Sequence, residues 1–155
     1  MYEHTITVFN FHEKTGAWYT SVFSGVSLYD NASANATPNS GKVNASSIEA
    51  IIHVDQNQSA GGSKMLSYQE PETNKAKSYA GPKAYAKLDD PDDYFTFKPE
   101  TDFFVTGNHS SNEPILDEDY EDGLYNAMND AQDGVYMIAS AIFYGLLPHF
   151  EIGGR

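Results

Sequence analysis

The sequence predicts a mainly β protein: a small β-barrel or sandwich of about six strands, with one α-helix in the C-terminal third and two long loops. Two observations lead to this prediction. Tyr and Phe are abundant, with 11 and 9 copies, which indicates a chain that is not disordered overall. Ser, Asn, Thr and Tyr recur where a helical protein would carry Leu and Ala, which favours β structure. A length of 155 residues suits one domain with a buried core, so we assign residues 1–155 to a single domain.

The first half of the chain contains three predicted strands. Residues 5–11 and 17–29 form a predicted hairpin around the sequence HEKTG, in which Gly16 supplies the positive φ of the turn. Gly25, within the second strand, indicates either a β-bulge or a close backbone approach. Residues 48–54 alternate between apolar and other side chains, which is the period of a half-buried strand.

Two segments are predicted to be long loops. Residues 31–47 are small and polar, so burial of their side chains cannot offset the entropy lost on ordering them. In residues 59–82 aromatic side chains are spaced among Lys, Pro and Gly, which predicts a second excursion that aromatic residues hold against the domain. Loops of this length are uncommon in a compact fold unless they have a function.

The second half predicts another hairpin and then a helix. Strands at 94–97 and 103–107 are joined by KPETD, after an acidic turn at 89–93. Residues 117–130 form the predicted helix, and Asp117 caps its first turn. The helix is predicted because apolar side chains recur every four residues, at Leu116, Tyr120, Leu124 and Met128.

The last predicted strand, Val135–Tyr144, is apolar on both faces. A strand without a polar face must be covered on both sides, by its own fold or by another subunit. We therefore predict that the segment from Val135 to Phe150 forms both core and subunit contact. The candidates for the subunit interface are Val135, Met137, Ile142, Phe143, Tyr144 and Phe150.

The charge and composition exclude several classes of protein. A net charge of −13, from 22 acidic and 9 basic residues, argues against a protein that wraps nucleic acid, whereas it suits a surface that DNA slides past. The absence of Cys excludes disulfides, thiolate metal sites and cysteine nucleophiles, and fits a reducing cytosol. The N-terminal sequence lacks a signal peptide and no apolar run is long enough to span a bilayer, so we expect a soluble chain without a membrane partner.

Neither a catalytic nor a metal site is predicted. The histidines lack ligand spacing, and no Ser lies in a Gly-x-Ser-x-Gly motif. Residues 117–128 resemble a calcium loop, but Asp122 stands where Gly is required and Met128 where Glu is required. The carboxylates of 89–93 are interpreted as a solvated turn, with a weak cation site as the alternative. We therefore predict a protein that is not an enzyme and has no cofactor.

Tyrosines of the second predicted loop are candidates for contact with a partner, because Tyr offers rigid amphipathic area at a small entropic cost. The alternative is that these rings attach the loop to the domain. The residues are Tyr68, Tyr79 and Tyr85.

The order of elements resembles a group of small proteins encoded among the structural genes of tailed phages and prophages. The opening strand TITVFN, a Trp-containing second strand, FTF followed by DFFVTG, and the ending LPHFEIGGR carry the resemblance. More loosely, the chain resembles the head-completion, or stopper, proteins that lie between the portal with its adaptor and the tail. This resemblance implies a small β-barrel in a cyclic ring of six or twelve copies at the neck of the virion, made in the cytoplasm of the bacterial host.

The same resemblance implies the partners of the ring: portal and adaptor proteins on one side, and the tail tube or tail terminator on the other. DNA passes through the ring without specific binding, and the two loops face the channel or a neighbouring ring. The acidic candidates for the channel lining are Asp89, Asp90, Asp92, Asp93, Glu118 and Asp119.

Three alternatives share these features. A tail terminator or another tail connector has the same acidic, ring-forming character. A monomeric module that binds glycan or peptide would use the tyrosines, and a cation-dependent hydrolase would use the acidic runs at 89–93 or 117–122.

Overall fold

The protein is described by a computed structural model that covers residues 3–30, 48–58, 64–71 and 73–155. The predicted loop at 31–47 lies outside these residues. The helices are α1 (Pro82–Lys87) and α2 (Leu124–Ala131). The strands are β1 (Glu3–His12), β2 (Ala17–Asp30), β3 (Ile48–His53), β4 (Asp55–Gln58), β5 (Lys64–Gln69), β6 (Ala76–Tyr79), β7 (Tyr94–Phe95), β8 (Phe103–Thr106), β9 (Ile115–Leu116), β10 (Val135–Tyr144) and β11 (His149–Gly154).

Six of the strands close into an antiparallel β-barrel, which confirms the predicted fold class. The order around the barrel is β1, β8, β10, β11, β3 and β2, and β2 pairs back to β1. The predicted β1–β2 hairpin is present, with Gly16 at φ 68° in its turn. Gly25, at φ 67°, lies opposite the register shift between His4 and Ile6, so the predicted bulge is also confirmed.

Alternate side chains of the barrel strands separate an inner core from an outer core. On β1, Val8 points into the barrel and Phe9 points outward; on β8, Phe104 is inside and Phe103 outside. The outer core lies under α2, which contributes Leu124. Because these strands are covered on both faces, their sequences are nearly continuous apolar runs.

A second, four-stranded sheet in the order β4, β5, β6 and β7 packs against the barrel. The sequence predicts a loop over 59–82, whereas the described part of that segment contains β5 and β6. Because these strands are short, the alternation of inward and outward side chains that identifies a β-strand cannot be recognised from their aromatic residues in the sequence. Tyr68 packs on Phe23 of the barrel, with ring centroids 4.7 Å apart, and Tyr79 lies 4.8 Å from Phe150.

The predicted hairpin of 94–97 and 103–107 is wrong, because β7 pairs with β6 while β8 pairs with β1 and β10. Asp102, which is buried, holds the connection between the two sheets. Its carboxylate accepts hydrogen bonds from the backbone N–H of Phe11 at 3.0 Å and of Lys98 at 3.0 Å, and from the Asn10 amide at 2.9 Å. The hydrogen bonds of the buried Asp102 therefore hold the connection in a path that differs from the hairpin predicted from the local sequence.

The predicted helix at 117–130 is shorter than expected, since α2 begins at Leu124. Asp117–Asp119 form a separate 3-10 turn, and Gly123 at φ 86° separates that turn from α2. Asp117 is therefore not the N-cap residue of α2, which is Gly123, but it still binds the first turn: its Oδ1 accepts the N–H of Leu124 at 2.9 Å and the indole N–H of Trp18 at 2.8 Å. The helix is thus capped from seven residues upstream.

Candidate functional site

The hairpin of β10 and β11 extends beyond its neighbour in the barrel. β10 pairs with β8 only from Val135 to Met137, but it continues to pair with β11 as far as Tyr144. Large apolar side chains on this extension are open to solvent, with Leu146 96% exposed and Leu147 73% exposed. We call these residues the apolar tip: Ile142, Phe143, Tyr144, Leu146 and Leu147.

Ring contacts fix the apolar tip to the core. Phe143 packs on Phe150 at 5.2 Å, and Phe150 packs on the buried ring of Phe97 at 4.8 Å. Tyr144 stacks on His149, with the ring centroids 5.1 Å apart. The side chains are therefore presented on a paired and packed hairpin, and a rigid, exposed apolar surface is typical of a site of interaction with another protein.

The predicted interface residues fall into two groups. Val135 and Phe150 are buried in the cores of this chain, so their side chains cannot reach a partner, and Met137 is partly covered. The other three candidates, on the outer half of β10, belong to the exposed tip. The sequence interpretation missed Leu146 and Leu147, which stand where a turn normally carries polar residues; two leucines between Gly and Pro are the signal that would have found them.

His149 is the titratable group at the base of the tip. A hydrogen bond from Nδ1 to the Leu147 carbonyl, at 2.6 Å, raises its pKa, and the Glu151 carboxylate 3.1 Å from Nε2 acts in the same direction against partial burial. Both partners accept from ring N–H groups, so they favour the protonated, cationic imidazole. His149 is therefore protonated more readily than an isolated histidine, and its positive charge lies at the base of the tip.

The two acidic segments, which are distant in sequence, meet around the β1–β2 turn. Asp89 forms an ion pair with Lys14 at 3.0 Å, and the backbone N–H of Asp117 donates to the carbonyl of Gly16 at 3.1 Å. We call this region the acidic end. It contains the channel-lining candidates, which are Asp89, Asp90, Asp92, Asp93, Glu118 and Asp119.

The acidic end and the apolar tip lie at the same end of the barrel. β1 and β10 both pair antiparallel with β8, so they run in the same direction, towards the β1–β2 turn and towards the tip. Some of the acidic charge is neutralised there, since Lys75 lies 2.5 Å from Asp92 and 3.4 Å from Asp93. One end of the molecule thus carries both an apolar and an anionic surface.

Each of the three tyrosines predicted to contact a partner packs within the chain: Tyr68 and Tyr79 join the small sheet to the barrel, and Tyr85 joins α1 to it. The hydroxyl of Tyr68 accepts the N–H of Ser24 at 2.8 Å, and Tyr79 packs among the phenylalanines of the core. Tyr85 is buried edge-on against His12, and this burial raises the pKa of its hydroxyl. The alternative interpretation, that these rings hold the segment in place, fits this geometry.

Side chains from the small sheet also complete the open edge of β2. Lys77 Nζ donates to the carbonyl of Thr20 at 2.6 Å, and Glu70 Oε2 accepts the N–H of Val22 at 2.7 Å. The two charges lie 3.9 Å apart and are buried. Burial lowers the pKa of Lys77, and the Glu70 carboxylate opposes that shift. The pair therefore serves as a substitute for a neighbouring strand.

A polar cavity of about 150 Å³ opens beside this edge. It lies between the β5–β6 connection and the segment before β9, with the ring of Tyr19 and the charged groups of Glu70 and Lys75 in its walls. Hydroxyl and amide side chains complete the lining at Thr73, Ser110, Ser111 and Asn112. Its chemistry suits a small polar ligand.

An apolar groove of about 400 Å³ runs along α2 on the outside of the barrel. Its floor includes Phe9 and Leu124, and α2 forms one wall through Ala127, Met128 and Ala131. The opposite side is formed by Ile115 and Tyr120, with His109, Ser110 and Gln132 at the ends.

Two kinds of site are not seen in the part of the chain that the structure describes. No group of three or more His, Cys, Asp or Glu side chains is arranged there to hold a metal ion. No helix among the same residues combines the length and the apolar character that crossing a membrane requires.

Comparison with known proteins places the whole chain in one family. Residues 1–155 match the model of a family of unknown function, DUF6751, and the chain belongs to that family. No curated protein and no solved structure matches it.

Proposed function

We propose that this member of the DUF6751 family is a non-enzymatic structural protein of a tailed-phage virion. In this proposal it assembles as a stopper-type ring at the head–tail junction, where it joins the portal and its adaptor to the tail and surrounds the DNA channel. The observation that carries the proposal is the apolar tip, which stands on a paired and packed hairpin and is left uncovered by the residues that the structure describes.

The free energy of hydration explains why the apolar tip supports an assembly role. Burying a leucine side chain stabilises a structure by about 1.5–3 kcal/mol relative to leaving it in water. The tip exposes two leucines beside three further apolar side chains. A second protein that covers this surface gains that free energy, and because the hairpin is already ordered, little entropy is lost on binding.

The acidic end supports the placement beside DNA. Carboxylates around the β1–β2 turn repel the phosphate backbone, so DNA slides past such a surface without being retained. The net charge of −13 extends this property to much of the molecule. A ring in which the acidic end faces the lumen and the tip faces a neighbour uses both surfaces at the same end of the barrel.

The polar cavity favours a second candidate function, a monomeric module that binds a small glycan or peptide. An aromatic ring beside hydroxyl, amide and carboxylate groups is suited to hydrogen-bonding such a ligand. That function requires saturable binding and no assembly. Asn112→Ala and Thr73→Ala would weaken ligand binding in this case, and neither substitution would affect ring formation.

The decisive experiment compares assembly of the wild-type protein with that of a tip variant, Leu146→Glu with Leu147→Glu. Mass photometry and negative-stain imaging are carried out on each protein alone, with a portal–adaptor complex, and with isolated tail tubes. We expect the wild type to add a ring to the portal complex and the variant to lose at least tenfold in affinity. Preference for tail tubes would instead identify a tail terminator.

The matched control is Tyr29→Ser, which removes an exposed aromatic side chain of β2. Tyr29 pairs with Glu49 at the start of β3, whereas the end of β3 lies beside the tip. We expect this control to assemble like the wild type. A folded wild-type protein that joins neither the portal complex nor tail tubes would contradict the proposed function.

A further inference from the structure

We propose that the apolar tip of one copy binds in the apolar groove beside α2 of the next copy, and that this contact repeats around the ring. The inference rests on the proposed function and identifies the partner of the tip as a second copy of this chain. The tip is convex and the groove concave, and both are apolar surfaces that the described residues leave uncovered.

The positions of the two surfaces keep the tip of a chain out of its own groove. The groove lies over β1 and β8, where its floor residue Phe9 pairs with Phe103, and Phe103 pairs with Met137 of β10. The tip begins at Ile142, five residues further along β10, which corresponds to about 17 Å. Since the hairpin is paired with β11 and packed on the core, it cannot fold back over that distance, so the tip of each chain remains free to contact the groove of another copy.

A contact between two different surfaces determines the kind of assembly. When a patch on one copy binds a different patch on the next, every copy keeps one free partner surface, and the chain of contacts either closes into a ring or continues as a filament. The tip-to-groove contact therefore belongs to the class of contacts from which a cyclic connector can be built, provided that the rotation between neighbouring copies closes the ring. A symmetric contact of tip with tip would stop at a dimer.

The distribution of charge favours the tip as the occupant of the groove. Acidic residues surround α2, including Glu121, Asp122 and Asp130, so most surfaces of a second copy would be repelled from it. The segment from Tyr144 to His149, YGLLPH, contains no carboxylate. At its base His149 is held towards the cationic form by the Leu147 carbonyl. The Glu151 carboxylate, 3.1 Å from His149 Nε2, is paired with that imidazole, and the tip residues themselves carry no acidic side chain. The tip is therefore repelled less by an acidic rim than the acid-bearing surfaces of the chain are.

The absence of cysteine from the chain permits a direct test by cross-linking. Leu146→Cys places one thiol on the tip, and Ala131→Cys places one at the groove. We expect the two proteins, mixed under mild oxidation with and without the portal complex, to form a disulfide-linked heterodimer at least tenfold faster than either pairs with Tyr29→Cys. Adding Ala127→Glu to the Ala131→Cys chain should abolish that preference.

A mixture of defective variants gives an independent readout. The tip variant Leu146→Glu with Leu147→Glu keeps its groove, and Ala127→Glu keeps its tip, so the two together should form 1:1 dimers that do not extend. Circular dichroism and thermal melting establish that each variant is folded. Heterodimers in both experiments support the contact, and cross-linking no faster than to Tyr29→Cys, with and without portal, overturns it.

Failure of this inference is distinguishable from failure of the proposed function. If the tip variant loses the portal complex while Ala127→Glu retains it, and no tip-to-groove cross-link forms, the tip binds the portal and only the inference fails. If the cross-link forms but the wild type joins neither portal nor tail tubes, the contact stands and the proposed function fails.

Discussion

The two barrel strands with an open edge, β2 and β10, are completed in different ways. Along β2, the backbone groups of Thr20, Val22 and Ser24 are bound by side chains of the small sheet, so the edge is closed by the chain itself. Along β10, the described residues provide no strand partner on the β8 side beyond Met137, and the apolar side chains from Ile142 onwards are exposed. The edge of β2 is sealed by buried polar contacts, whereas the outer half of β10 carries an apolar surface that the described residues leave uncovered.

The largest expected loss of stability follows a substitution that breaks the buried contacts along the edge of β2. Lys77→Met leaves the Glu70 carboxylate buried without its cation and the Thr20 carbonyl without its donor, so we expect a loss of about 3–5 kcal/mol in the free energy of unfolding. Urea denaturation followed by circular dichroism measures it. The matched control is Lys75→Met, whose ion pairs are exposed to solvent, and it should lose less than about 1 kcal/mol. If both variants lost the same free energy of unfolding, the buried pair of Lys77 and Glu70 would contribute no more to stability than the exposed ion pairs of Lys75.

The second prediction concerns Asp102, which directly precedes β8 at the point where the pairing of β8 with β10 stops. Burial raises the pKa of its carboxyl group from 3.8 to about 6, against the hydrogen bonds that favour the anion. The folded protein therefore holds this proton more tightly than the unfolded chain. Its contribution to stability is fully present below pH 3.8 and is lost as the pH rises through about 6.

Asp102→Asn removes this titration. The stability of the variant relative to the wild type should rise by up to about 3 kcal/mol between pH ~4 and pH ~7, measured by urea unfolding at each pH. Asp119→Asn, at an exposed carboxylate, is the control. A pH-independent difference between Asp102→Asn and the wild type would show that the buried carboxyl is not the titrating group.

The third prediction tests the wall of the apolar groove. Asp117→Ala removes the acceptor of both the Leu124 N–H and the Trp18 indole, so we expect a loss of about 1–2 kcal/mol in the free energy of unfolding. The rate of the tip-to-groove cross-link should fall with it, because α2 begins at this cap. Glu118→Ala, next to it and exposed, should change neither quantity.

The smallest effect on stability is expected at the tip itself. Leu146→Glu with Leu147→Glu replaces side chains that already face water, so the free energy of unfolding should change by no more than about 0.5 kcal/mol. Assembly should nevertheless be lost. A destabilisation of several kcal/mol in thermal or urea unfolding would mean that the tip belongs to the core of the isolated chain, and the comparison of the two edges would fail.

The parts of the fold that depend on neighbours in sequence were predictable. The β1–β2 hairpin, its turn at Gly16 and the bulge at Gly25 follow from local alternation and from two glycines with positive φ. The strand at 48–54 follows from the same period. The outer part of β10 was recognised as a strand without a polar face, although the sequence does not separate buried Val135 from exposed Ile142.

The parts that depend on distant contacts were not predictable. The false hairpin of 94–107 arises because Asn10 and Asp102, more than ninety residues apart, hold the connection in another path. The small sheet requires Tyr68, Glu70 and Lys77 to find β2, and a lone Lys or Glu in a polar segment carries no sign of burial. The exposure of Leu146 and Leu147 depends on how far the β10–β11 hairpin extends past Phe103, the first residue of β8, which is a property of the sheet and not of the turn sequence.

The environment of Trp18 has a practical consequence. It is the one tryptophan of the chain, its indole is bound to the cap of α2, and its ring lies 5.0 Å from Phe103 in the core beneath the groove. Because the indole is buried, its intrinsic fluorescence is a label-free reporter of that wall: loss of the contact with Asp117 or of the packing on Phe103 should expose the ring and shift the emission towards longer wavelength. A urea titration followed at this one chromophore reports the unfolding of the wall beneath the groove without modification of its surface.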